Sequence, residues 1–175
     1  LYKAILNETD LTGADLGMAD LERATLIRAQ MRVARLKATK LDGAQLDHAR
    51  LIGANLTDAT LTDARLARAD LSRAVLLRTN LTRADLSQSD FNRASLIDAI
   101  LIGTKLYRSN LGKANLTGVD LTDANMSDAT YAKTILNDAV FCRTVMPNNV
   151  EKNTDCSKEK RSSASSLGRQ KLHHS

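Results

Sequence analysis

A large apolar residue recurs at every fifth position of this chain, from Leu1 to Met146, without a slip. Of these thirty positions twenty-four are Leu; the others are Met31, Phe91, Met126, Tyr131, Phe141 and Met146. A second column runs two residues ahead of the first and is small: of 29 positions, 20 are Ala, six Thr, two Ser and one is Val119. A step of five fits neither regular period. It advances an α-helix by about 500°, which smears the Leu around the axis. In a plain strand an odd step sends every second Leu to the outer face. Alternation therefore holds only locally: the small residue and the Leu point inward from one short extended piece, and the rest turn a corner. A fixed short period of this kind marks a solenoid.

Four such pieces close a coil, because four right-angle corners return the chain above its start. Neighbouring twenty-residue coils then pair through the backbone at about 4.8 Å. Residues 1–148 supply about seven and a half coils, a rod roughly 35 Å long. The small inward residue lets Leu from opposite walls interdigitate at the density of a protein interior. The expected fold is all-β, a four-walled parallel β-helix (β-solenoid) over 1–148, followed by a flexible polar C-terminal tail over 149–175.

The runs Ala14-Asp15-Leu16, Ala54-Asn55-Leu56, Ala69-Asp70-Leu71, Ala84-Asp85-Leu86 and Ala114-Asn115-Leu116 follow the pattern A(D/N)LXX. In these the chain resembles the pentapeptide-repeat proteins across residues 1–148. The resemblance implies a right-handed quadrilateral β-helix with central Leu and inward Ala; the hand comes from the family, not from the period. Some members, of the quinolone-resistance type, bind DNA gyrase by imitating the shape and negative charge of duplex DNA. This chain departs from that type: it is net basic, its repeats carry no inserted loop or midpoint break, and its tail lacks a hydrophobic dimerising helix. In style it is closer to the uninterrupted cyanobacterial members.

The formal charge is +5, but residues 1–146 hold 19 Lys+Arg against 17 Asp+Glu, so most of the excess sits in the tail. A near-neutral rod of mixed sign is not the footprint of a dedicated DNA binder. No apolar run approaches the roughly 18 residues of a membrane span, and a soluble, cytoplasmic protein is favoured. The chain starts at Leu1, in register and without Met, which leaves room for a leader or further coils ahead of it. Cys142 and Cys156 define no disulfide framework, and free thiols are favoured. Pro147 breaks the ladder and ends the rod. Beyond it Lys158-Glu159-Lys160-Arg161 and Ser162-Ser163-Ala164-Ser165-Ser166 are polar, and His173-His174 is set aside as an added end.

Candidate chemistry is thin, and neither an enzyme, a metal site nor a cofactor is expected. His48 lies outward near Asp47 and Arg28 with no nucleophile to activate. No Cys/His cluster has ligand spacing, and the many outward Asp and Ser read as decoration of the repeat. Surfaces are more informative. Arg73, Arg93, Lys113 and Lys133 fall on one wall a coil apart, a candidate anion ladder, although Asp70 and Asp90 across the same faces favour local charge balance. The belt Arg65, Arg68, Arg73, Arg78 and Arg83 carries the same ambiguity. Tyr2, Phe91, Tyr107, Tyr131 and Phe141 are the aromatics; the last-coil Tyr131, Phe91 and Phe141 are expected inward, so base stacking has little to use.

Leu77 and Ile97 point outward on adjacent coils, with Val75, Ile100 and Ile102 beside them around a corner, a candidate partner patch. The ends, with Tyr2, Ile5 and Leu6 at one and Phe141, Val145 and Met146 at the other, suit end-to-end self-association unless capped. The leading expectation is a non-enzymatic β-helical scaffold whose flat walls meet an unknown protein partner. The alternatives are a DNA-mimicking gyrase binder, and anion or nucleic-acid binding through the basic ladder.

Overall fold

The structure is a computed structural model and describes residues 1–156. Four ladders of parallel pairings run its length, and each joins residues twenty apart. We name them by their first members: Ile5 pairs with Thr25, Asp10 with Gln30, Asp15 with Arg35 and Asp20 with Lys40, and so on up the rod. The expected twenty-residue coil is thus the observed one over this span.

Backbone bonding within a repeat accounts for four amides of every five. In the second coil Leu21 N–H donates to Lys40 O at 2.8 Å and Arg23 N–H to Asp42 O at 2.9 Å, both in the next coil. Thr25 N–H donates to Ala4 O at 2.9 Å in the coil before, and Ala24 N–H closes the turn on Leu21 O at 3.0 Å. The fifth amide, on the residue after the Leu, has no carbonyl. An outward Asp or Asn two positions earlier in the chain takes it, as Asp10 Oδ1 accepts from Thr12 N–H at 2.9 Å and Asn80 Oδ1 from Thr82 N–H at 3.0 Å. All twelve Asp and Asn in the ladders do this, down to Asp120 and Asn125. That is the physical content of the D/N in the repeat, since a buried or half-buried amide without a partner is costly. The outward Asp of the ladders are therefore structural, not decoration.

Every corner repeats one backbone device. From Lys3 to Arg143 the third turn residue is left-handed in each repeat, with φ between 48° and 69°, yet only five of these residues are Gly. An L-residue there costs roughly 1–2 kcal/mol, offset by the hydrogen bond its amide makes to the next coil. Val33 is the worst fit: β-branched, at φ 48°, and 61% exposed. Val33→Asn is expected to raise the unfolding free energy by about 1 kcal/mol, because Asn tolerates this region. Urea unfolding of the two proteins checks it, and an unchanged midpoint would mean that the corner carries no strain.

Inside, Leu and Ala dominate the core; Leu26, Ala29, Leu71, Ala74 and, in place of a Leu, Phe91 are all fully buried. Inward Thr residues dispose of their hydroxyls on carbonyls, of the coil below as Thr79 Oγ1–H does on Leu56 O at 2.8 Å, or of their own turn as Thr104 Oγ1–H does on Leu101 O at 2.8 Å. Tyr131, expected inward, is instead 45% exposed, because the chain leaves the coil path at Pro147 before a further coil covers that wall.

After Met146 the chain reverses. Pro147 and Asn148 sit in a turn closed by Asn149 N–H to Met146 O at 2.8 Å, and Asn149 is left-handed at φ 60°. This three-residue hairpin loop sets β2 (Glu151–Lys152) antiparallel to β1 (Thr144–Val145). The return brings Cys156 to Cys142, Cα–Cα 4.7 Å, and the two form a disulfide. The expectation of free thiols is corrected: a separation of 14 residues reads as unpaired only until the hairpin folds the segment back. Asp155 N–H also donates to Phe141 O at 3.0 Å, and the Lys152 ammonium stands over the Phe141 ring at 3.6 Å. The tail expected from residue 149 thus opens with an ordered hairpin arm; Lys158 to Arg161, the Ser162–Ser166 run and His173-His174 lie outside the described residues.

Candidate interaction surface

The left-handed corner residues stack into four rows, and the rows differ in charge. Three mix signs and pair them between coils. On one, Arg28 meets Glu8 at 3.6 Å and Arg108 meets Asp128 at 3.7 Å. On the next, Arg83 meets Asp63 and Arg143 meets Asp123, both at 2.6 Å. On the third, Arg78 grips Asp58 through two bonds of 2.7 and 2.9 Å. The hydrogen bonds from Arg78, Arg83 and Arg143 hold the Asp58, Asp63 and Asp123 carboxyls below the usual carboxylate range. Such depressed groups stabilise the fold above their unfolded-state range, and that contribution is lost as pH falls through the folded one. Asp63 and Asp123 are exposed and Asp58 is half-buried at the surface, so the effect is small.

The fourth row, between the Asp10 and Asp15 ladders, reads Gly13, Val33, Gly53, Arg73, Arg93, Lys113 and Lys133. It contains no acid. The four cations of the expected ladder do stack, but on a corner rather than a wall, because the left-handed residue ends the turn there. All four are exposed, and none has an ion pair or side-chain hydrogen bond among the described residues. Asp70 and Asp90, in the adjoining ladder, make no ion pair with them. Asp70 Oδ1 accepts from Ser72 N–H at 3.0 Å and from its hydroxyl at 2.7 Å, and Asp90 Oδ1 from Asn92 N–H at 2.8 Å. In the Arg belt, by contrast, Arg65 reaches Asp47 at 3.3 Å and Arg68 reaches Gln88 at 3.2 Å, while Arg78 and Arg83 are paired as above. Arg73 is the one of the five without a partner among the described residues.

The apolar candidates divide between two walls. Leu77 and Ile97 stack, half-buried, on the corner between the Asp15 and Asp20 ladders, and Val75 lies in the Asp15 ladder beside them. Ile100, 37% exposed, belongs to the Asp20 ladder, and Ile102 turns onto the corner after it. His48 is exposed in the first row, between Arg28 and Arg68. Depressions of the surface are shallow, and one is lined by the paired Asp63, Arg65 and Arg83 together with Asp85 and Lys105. Among the described residues no group of three His, Cys, Asp or Glu is placed to hold a metal ion, and no helix is long and apolar enough to cross a membrane.

Four ladders, twenty-residue coils and a Leu/Ala core define a quadrilateral repeat β-helix. The model for pentapeptide repeats (eight copies) matches residues 4–42, 39–76, 74–112 and 99–130, and the chain belongs to the pentapeptide-repeat family. Among solved structures it is similar to HetL, a pentapeptide-repeat protein involved in heterocyst differentiation regulation from the cyanobacterium Nostoc sp. strain PCC 7120. The two share 37% identity at a TM-score of 0.64 over 87% of this chain and 76% of that one. Rfr23 from the cyanobacterium Cyanothece 51142 shares 34% identity over 55% of this chain and 63% of that one, TM-score 0.35. QnrB1, a plasmid-mediated fluoroquinolone resistance protein, shares 16% over 92% and 86%, TM-score 0.42. The comparison with curated proteins found no match. Membership implies the right-handed β-helix that the repeat motif led us to expect.

Proposed function

We propose that this chain is a non-enzymatic β-helical scaffold whose outer surface meets a protein partner. The supporting observation is the register. Parallel pairing at twenty-residue steps holds outward side chains in straight rows at fixed pitch, backed by a fully buried apolar core. Such a rod presents a preformed surface, so a partner loses little affinity to ordering it. Imitation of duplex DNA toward gyrase draws no support from the surface, since the 19 cations of residues 1–146 outnumber its 17 acids.

Photoreactive phenylalanine placed in each ladder in turn, at Gln45, Asn110, Ser95 and Thr60, tests the reading in extract of the source cell. A discrete protein adduct from one wall is the expected result. Equal, diffuse labelling from all four, or none, would overturn it.

A further inference from the structure

The acid-free corner and the Leu77–Ile97 corner are the two edges of one wall. Between them the Asp15 ladder carries Val75, Ser95, Asn115 and, at the last coil, Ile135, so its centre is uncharged over the span that bears the four cations. From the structure we infer that this wall docks an acidic amphipathic α-helix lying along the rod, which deepens the scaffold reading and rests on it.

Three arguments lead there. The first is pitch. From Arg73 to Lys133 the row climbs three coils, about 14 Å at the spacing of paired strands. Three turns of an α-helix climb about 16 Å, so a Glu or Asp stripe at i, i+3, i+7 and i+10 stays within reach of four long side chains. The second is width. Arg73 and Leu77 stand at the two ends of one wall, four residues apart, at most about 14 Å along an extended chain and close to a helix diameter of roughly 10–12 Å. A helix acidic on one flank and apolar on the other thus covers both edges at once. The third is polarity. Beyond the apolar edge lie Asp98 and the Arg78–Asp58 pair. Over the same span that edge carries Asp98 and, among the described residues, no unpaired cation, so the acidic flank of the helix is drawn to the Arg73–Lys133 edge instead. Nucleic acid fits less well, because the cation row is one residue wide and no aromatic stands in it for bases to stack on.

The test uses the full chain and a labelled 18-residue helical peptide with a Glu stripe next to a Leu stripe. Its scrambled isomer and a dT20 oligonucleotide serve as competing probes. The row sits at left-handed positions, where Asn and Asp are accommodated, so Arg73→Asn/Arg93→Asn/Lys113→Asn/Lys133→Asn keeps the fold, as its unfolding midpoint verifies. Should it fall, Arg93→Asn/Lys113→Asn replaces it. The expected result is binding of the striped peptide that weakens at least tenfold in the quadruple variant, or at least threefold in the double. It also weakens in Leu77→Ser/Ile97→Ser, and is unchanged in Arg83→Asn on the far corner. Equal binding of the scrambled isomer, tighter binding of dT20, or indifference to the row overturns the helix. A photo-adduct from a different wall in the same extract would leave the scaffold reading standing without it.

Discussion

Leu71→Ala is expected to lower the unfolding free energy by about 2–5 kcal/mol. The side chain is fully buried, and its neighbours up and down the column are Leu51 and Phe91, also fully buried. Truncation opens a void that the coils cannot slide to fill. Leu71 N–H is held on Asp90 O at 2.8 Å from above, and Asp70 O takes Leu51 N–H at 2.7 Å from below. Rigidity therefore puts the effect toward the upper part of the range. Urea unfolding followed by circular dichroism measures it. A loss under about 1 kcal/mol would show that the stack relaxes by more than its backbone bonds suggest. The same change at Leu6, which is only partly buried in the first coil, is expected to cost less.

Removing the disulfide has the second large effect, and a local one. Cys142→Ser/Cys156→Ser frees a 14-residue span that the bridge now closes, worth about 3 kcal/mol of loop entropy. Amide exchange across residues 141–156 is expected to quicken by about a hundredfold, while the coils around Leu71 keep their protection. Reductant on the unaltered chain should reproduce it. No change would mean that the β1–β2 pairing and the Lys152–Phe141 contact hold the hairpin unaided.

The sequence displayed the core plainly because burial on four walls needs the same two residue types at the same offset, and nothing else tolerates them. It displayed less of the corners. Where Arg73 sits depends on which residue of the turn is left-handed, a matter of φ that a period of five leaves open. Nor does proximity in the chain say where a carboxylate points. Asp70 lies near Arg73 but serves the amide of Ser72, and only the ladder shows that this amide has no other acceptor. The disulfide was hidden for a related reason. Pro147-Asn148-Asn149 between Val145-Met146 and Val150 is a fair hairpin signal, yet read beside a rod it passes for the end of order. The Val75–Leu77–Ile97 edge and the cation row each stood out alone, and their shared wall emerged from the ladder assignments.

The twenty-residue register also constrains how such a chain can change length in evolution. Gain or loss of a whole coil leaves every column in line, so any surface is simply stretched or shortened. Gain of a single repeat is different. Each inward residue still meets an inward residue, and the folded state survives, but all that follows is turned by a quarter relative to what came before. A binding wall that crosses the insertion is split between two azimuths. Lineages that keep a partner should therefore vary in steps of four repeats, and a lone repeat gained or lost should mark a partner abandoned.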